Sequence, residues 1–257
     1  MRYQKRQKRG ASKERSMKEA EASEERKKQK GDLGEMIRGI LFDMDGLMFD
    51  TEAIGLKGWK KAGEELGIRI TDEMVASLRG LGNRERRARF GEMTGRPELF
   101  DAAQKIRIEY SDSWIREKGV PVKPGLTELL EYLKDKEIPA ALATSTEREK
   151  AGWYLRLAGV EQYFQASVCG VEAGPSKPAP DVFLKAAAKL GLPAEECMVL
   201  EDSENGLRAA KAAGCTAVVV PDLSPAPPEE DGLWDRKAET LRDVIPIVQE
   251  LSGYLVH

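Results

Sequence analysis

Apolar residues recur along this chain with two different periods, and the change from one to the other divides it. Residues 36–43 hold a short apolar run that breaks into Asp43-Met44-Asp45-Gly46. That is the pattern of a buried strand ending in two carboxylates and a turn. From 51 to 118 the apolar positions fall at helical spacing: Trp59, Ala62 and Leu66, then Met74, Val75 and Leu78, then the stretches 84–93 and 99–114. Gly67, Gly80-Leu81-Gly82 and Gly95-Arg96-Pro97 punctuate them. Beyond Pro121 strand and helix alternate, with helices predicted at 126–136, 146–158, 180–190, 205–213 and 241–251. Strands are predicted at 138–143, 197–200 and 216–220, with a short apolar segment at 164–169. Alternation of this kind predicts an α/β fold, a parallel sheet covered by helices on both faces, with a nearly all-helical insertion after the first strand. Such sheets bind ligands at the carboxyl ends of their strands. The residues just past each strand are therefore the candidates for chemistry.

Strand alternation sends Asp43 and Asp45 to the same side of the strand end. At ~4 Å and an effective dielectric of ~20, two carboxylates repel by roughly 4 kcal/mol, worth about three pKa units. Either one is protonated or a cation sits between them. The strand at 138–143 ends in Thr144-Ser145-Thr146 directly before a predicted helix. Hydroxyls and fresh helix amides suit an anion, although the same residues serve equally as plain caps. The strand at 197–200 runs into Glu201-Asp202-Ser203, which brings two more carboxylates to the same edge. Between them lies Ser176-Lys177-Pro178-Ala179-Pro180-Asp181, whose prolines fix an extended approach to a helix and aim Lys177.

Four carboxylates need compensation, and an oxygen-only donor set suits Mg²⁺. Even with Mg²⁺ and Lys177 present, four acids and a phosphate dianion leave negative charge in excess, so one acid is expected to carry a proton. Asp45 is that acid, and a protonated carboxyl is a general acid. Asp43 is then the nucleophile, forming an aspartyl-phosphate.

Composition narrows the alternatives. The chain has 257 residues, 41% of them hydrophobic, enough for a full core and an insertion. It has no apolar run near the ~20 residues that span a bilayer and no signal-like N-terminal segment, so the expected location is cytoplasmic. The one histidine is His257, which excludes histidine catalysis and histidine metal sites. Cys169, Cys197 and Cys215 show no metal-ligand spacing and are expected to be buried thiols. The net charge of −3 conceals an asymmetry, because the first thirty residues carry twelve Lys or Arg against five Glu. Residues 1–35 are expected to be a basic tail, disordered or a solvated helix. It is the only hint of contact with nucleic acid, which is not an expected partner.

In order and in combination, four motifs resemble the haloacid dehalogenase (HAD) superfamily, in the subgroup of beta-phosphoglucomutase-like phosphatases. They are Phe42-Asp43-Met44-Asp45-Gly46-Leu47-Met48-Phe49-Asp50-Thr51-Glu52, Ala143-Thr144-Ser145-Thr146, Ser176-Lys177-Pro178-Ala179-Pro180-Asp181 and Leu200-Glu201-Asp202-Ser203-Glu204-Asn205-Gly206. The resemblance covers residues 37–251. It implies a doubly wound, Rossmann-like core from 36–50 and 119–257 with a mobile helical cap at 51–118. It also implies Asp43 as nucleophile, Asp45 as acid and base, Thr144, Ser145 and Thr146 on the phosphate, and Lys177 as charge balance. Mg²⁺ would be held at Asp43, Asp45 (through its carbonyl), Glu201 and Asp202. In the cap, Arg79 and Arg84 stand where such proteins reach the substrate, and Trp59 is expected in the cap's own core. Asp45 itself points away from dehalogenation. The related mutases carry a histidine ten residues after the acid/base Asp, whereas this chain has Gly55, so hydrolysis of a small phosphomonoester is expected over the alternative, a sugar phosphomutase. The expected partner is a small phosphorylated metabolite, possibly a sugar phosphate, and the expected state a monomer.

Overall fold

The computed structural model describes residues 36–253 apart from Gly80, and the expected basic tail at 1–35 lies outside the described residues. Six parallel strands form one sheet in the order β3-β2-β1-β4-β5-β6. They are β1 (Gly39–Phe42), β2 (Ala140–Thr144), β3 (Phe164–Cys169), β4 (Cys197–Glu201), β5 (Thr216–Val219) and β6 (Arg236–Lys237). The last was not anticipated: it is two residues long and polar, and only pairing with Val218 and Val219 makes it a strand.

The central strands are apolar throughout because both faces of the sheet are covered, yet their side chains still alternate between two cores. Ile40, Phe42, Leu142, Met198, Leu200 and Val218 point into one cluster with the helices α5 (Leu126–Asp135), α6 (Arg148–Ala158) and α9 (Val244–Ser252). Leu41, Ala141, Ala143, Val199, Ala217 and Val219 point into the other, against α7 (Asp181–Leu190) and α8 (Glu204–Ala213). The chain builds outward from β1 to β2 and β3, then returns to the opposite side of β1 with β4 and continues to β5. The reversal lies between β1 and β4, and Phe42 is paired with Leu200 at their carboxyl ends. This is the switch point at which doubly wound sheets open a crevice.

Between β1 and β2 the chain forms a helical cap of α1 (Thr51–Leu66), α2 (Asp72–Ala76), α3 (Asn83–Thr94) and α4 (Phe100–Lys118). The cap has its own core. Trp59, only 5% exposed, packs with Phe90 and Phe100, ring centroids 5.5 to 6.3 Å apart. The two connections to the sheet hold each other. Asp50 N donates to Pro121 O at 2.9 Å, Lys123 N donates to Met48 O at 2.9 Å, and Phe49 bridges Val122.

Phe42 is fully buried on β1 and meets Phe164 edge-on at 5.6 Å. Phe42→Ala is therefore expected to cost about 3–5 kcal/mol in urea denaturation, and a loss below about 1 kcal/mol would contradict the packing described.

Candidate active site

The site grows out of the pairing of β1 with β4. Asp43 extends the strand by one residue, its N–H donating to Leu200 O at 3.1 Å, which sets its carboxylate beside Glu201. Glu201 is fully buried at the end of β4, and its Oε2 accepts from Asp202 N, Ser203 N and Ser203 Oγ at 2.9–3.0 Å. Ser203 also caps α8, accepting from Gly206 N at 3.1 Å. Gly206 is required by space: a Cβ there would lie 1.8 Å from Glu201 Oε1.

Lys177 fills the gap between the strands. Its ammonium donates to Asp43 Oδ1 at 2.5 Å and to Glu201 Oε1 at 2.6 Å, with Ala143 O at 3.4 Å and the Phe183 ring 4.8 Å below. Asp202 sits against the turn after Asp45. Gly46 has φ +87°, and a Cβ on it would come within 2.4 Å of Asp202 Oδ2. One oxygen each of Asp43, Glu201 and Asp202 lies within 4.8 Å of the others.

The electrostatics follow from burial. Desolvation pushes the Asp43 carboxyl up to about 7 against the pull of the Lys177 charge, with Glu201 and Asp45 adding to the rise. Burial, then Glu201 and Asp43, hold Asp202 well above the usual carboxylate range. Burial works against the Lys177 ammonium, but Asp43 and Glu201 outweigh it and keep its pKa above the ordinary lysine value. Three carboxylates sharing one ammonium form a hard, oxygen-only donor set with negative charge to spare, and these residues fit a divalent cation such as Mg²⁺.

The two aspartates that follow β1 have different hydrogen-bond partners. Asp45 accepts from Thr51 Oγ1 at 2.7 Å and from Thr146 Oγ1 at 2.6 Å, and its carboxylate is not part of the three-acid cluster. The helix expected from 146 begins at Arg148, leaving Thr146 free to turn its hydroxyl to Asp45. Thr144 is 1% exposed and its hydroxyl accepts from Thr146 N at 3.0 Å, while Ser145 is exposed beside it.

In the cap, Arg79 bridges to the core, with Nε 3.7 Å from Glu52 and Nη1 donating to Ser224 Oγ at 3.4 Å, whereas Arg84 is exposed. Thr51, Arg86 and Arg107 went unread in the sequence. Thr51 stood inside a recognised motif with no role attached, and the two arginines carried no motif to single them out.

The model of the haloacid dehalogenase-like hydrolases matches residues 37–214, every strand-end motif included. The chain belongs to that family. It is 31% identical over 186 residues to the phosphorylated carbohydrates phosphatase of Thermotoga maritima, covering 69% of this chain and 82% of that protein. It is 30% identical over 190 residues to the beta-phosphoglucomutase of Bacillus subtilis, covering 72% and 83% respectively. The crystal structure of CbbY from Rhodobacter sphaeroides in complex with phosphate superposes with a TM-score of 0.70 at 29% identity, over 81% of this chain and 96% of that one. The HAD fold and its helical cap are thus shared with solved relatives.

Two outcomes are expected from this geometry. Gly206→Ala displaces the Glu201 carboxylate and should weaken Mg²⁺ binding by about tenfold or more in calorimetric titration, and unchanged affinity would contradict the role given to Gly206. The second concerns pH. Asp43 ionises near 3.8 when unfolded and near 7 when folded, so between those values the native state binds more protons. Its contribution to the stability of the cation-free protein therefore falls as pH climbs through that window, and Asp202 acts in the same direction. A divalent cation favours the ionised forms, so the rise in melting temperature on adding Mg²⁺ should grow from pH 5 to pH 7. A larger rise at pH 5 would contradict it.

Proposed function

We propose that this hydrolase is a Mg²⁺-dependent phosphatase that cleaves a small phosphomonoester, such as a sugar phosphate, through an aspartyl-phosphate. The observation that carries this reading is the division of labour between the two aspartates. Asp43 lies in the charge cluster with Lys177, Glu201 and Asp202, while Asp45 is held apart by two hydroxyls.

Mg²⁺ held by Asp43, Glu201 and Asp202, with the Asp45 carbonyl implied by the family pattern, would neutralise phosphate and carboxylate charge and let them approach. Lys177 keeps the Asp43 oxygen placed and lowers its repulsion with an incoming anion. An Asp43 oxygen attacks phosphorus, forming the acyl phosphate as the bond to the leaving oxygen breaks, and the Asp45 carboxyl gives that oxygen its proton. The Asp45 carboxylate then takes a proton from water, whose oxygen attacks phosphorus and releases orthophosphate and free Asp43. Thr51 and Thr146 suit both states, because a hydroxyl donates to the carboxylate and can turn to accept from the acid. Ser145, exposed beside Asp45's partner Thr146, is placed to meet a phosphate oxygen.

Gly55, where the related mutases have histidine, speaks for hydrolysis over phosphomutase action. Among the described residues no helix is long and apolar enough to cross a membrane. Phosphate release from a panel of sugar phosphates should require Mg²⁺ and fall by at least about a thousandfold in Asp43→Asn. Full turnover in that variant would overturn the mechanism, and conversion of a hexose 1-phosphate to the 6-phosphate with little free phosphate would favour the mutase.

A further inference from the structure

Asp222 is an acid buried at the carboxyl edge of the sheet, at the strand end next to the one that carries Glu201 and Asp202. β5 runs beside β4 with Val219 opposite Glu201, and the Val220 N–H donates to Glu201 O at 2.8 Å. Asp202 follows Glu201 directly and Asp222 follows Val220 by two residues, so the two acids leave neighbouring strand ends. The Asp222 side chain is 6% exposed. Its Oδ1 accepts from Lys123 Nζ at 2.6 Å, whereas Oδ2 is closed off from solvent and has no hydrogen-bond partner. A buried carboxylate oxygen without a donor is unfavourable, and in a stable fold it marks the place of a water or an ion. Lys123 holds the carboxylate in this setting, because its own N–H is tied to Met48 O at 2.9 Å and its ammonium is committed to Oδ1.

The cluster feels this acid without touching it. After burial, Glu201, Asp43 and Glu52, the Asp222 charge is the last of those that raise the Asp202 carboxyl. Yet the group whose ligand oxygens all lie within 4.8 Å of one another is Asp43, Glu201 and Asp202, and Asp222 is not one of them. An acid so placed is too far for direct ligation beside the other three and close enough to meet the cation's hydration. Mg²⁺ parts with its water reluctantly and keeps several molecules of it when bound by carboxylates. Groups that accept from a metal's ligands hold the site together nearly as much as the ligands do. We infer that Asp222 is a positioning residue of the cation site: its Oδ2 accepts a hydrogen bond from a water carried by Mg²⁺, while Lys123 orients the carboxylate and balances its charge. Asp222 stands outside all four strand-end motifs and beyond residue 214, where the family match ends. The inference rests on the reading of the strand ends as a Mg²⁺ site, and it deepens that reading with a residue from β5's exit.

Calorimetric titration of the full-length protein with MgCl₂ and with CaCl₂ tests it without recourse to turnover. Ca²⁺ accepts more ligands in a looser geometry, so it depends less on one fixed water. Asp222→Asn should weaken Mg²⁺ binding by about tenfold or more and Ca²⁺ binding by less than about threefold. The double variant Lys123→Met/Asp222→Asn removes the ion pair whole, leaving net charge unchanged and no ammonium unpaired. It guards against a folding defect and against a mere through-space effect of charge, and it should show the same selective loss. Mg²⁺ affinity within about twofold of wild type in the double variant, or equal losses for the two cations in it, would overturn the role of Asp222. So would a wild-type protein that binds no Mg²⁺. Phosphate release from the sugar phosphate panel is read separately. A selective loss of Mg²⁺ binding with no phosphate released by wild type leaves the role of Asp222 standing and overturns the phosphatase reading. Phosphate release with Mg²⁺ binding untouched by either variant does the reverse.

Discussion

The ammonium of Lys177, buried between Asp43 and Glu201 at 2.5 and 2.6 Å, is the contact on which the rest of the site depends. Each of these groups alone would be costly to desolvate, and together they still carry an excess of negative charge. That excess has consequences in two directions. Toward stability, it adds to the burial that raises the Asp43 and Asp202 carboxyls above the usual carboxylate range. Toward function, it makes the strand ends a fit for a divalent cation, whose charge would offset the excess.

The sheet exists in the form it does to hold that cluster still. Asp43 and Glu201 come from adjacent parallel strands, at the point where the winding reverses, so no helix crosses over them. Glu201 is pinned by the amides and hydroxyl that open α8, and Gly206 leaves the room its carboxylate fills. Asp45 is one turn further on, beyond the last strand residue, where side chains from the cap and from β2's exit can reach it. Asp43 and Asp45 are thereby given different surroundings by the same short segment. Arg79 ties the cap to this edge through Ser224, so the two sides of the cleft belong to separate cores.

Much of this was legible in the amino-acid order. The apolar strands, the acids that end them, the loop that carries Lys177 and the helical insertion are all local patterns, and a parallel sheet brings every strand end to one edge whatever its detailed register. That is why Asp43, Lys177, Glu201 and Asp202 could be named and why the chemistry of an oxygen-only, carboxylate-rich site followed from composition alone. The absence of any histidine before His257 likewise removed whole classes of mechanism without coordinates.

What the tertiary structure decided was which groups meet. Strand periodicity named Asp43 and Asp45, but only the packing gives Asp43 to Lys177 and Asp45 to Thr51 and Thr146. A helix expected to start at Thr146 starts two residues later, and the residue so released becomes a ligand of Asp45 across 101 positions of sequence. Arg86 and Arg107 carried no reading in the sequence, although helical spacing sets them in line with the cap-core residues Phe90, Phe100 and Ala103. What a cap side chain meets across the cleft depends on how the cap sits on the sheet, a packing of distant segments that no local pattern encodes.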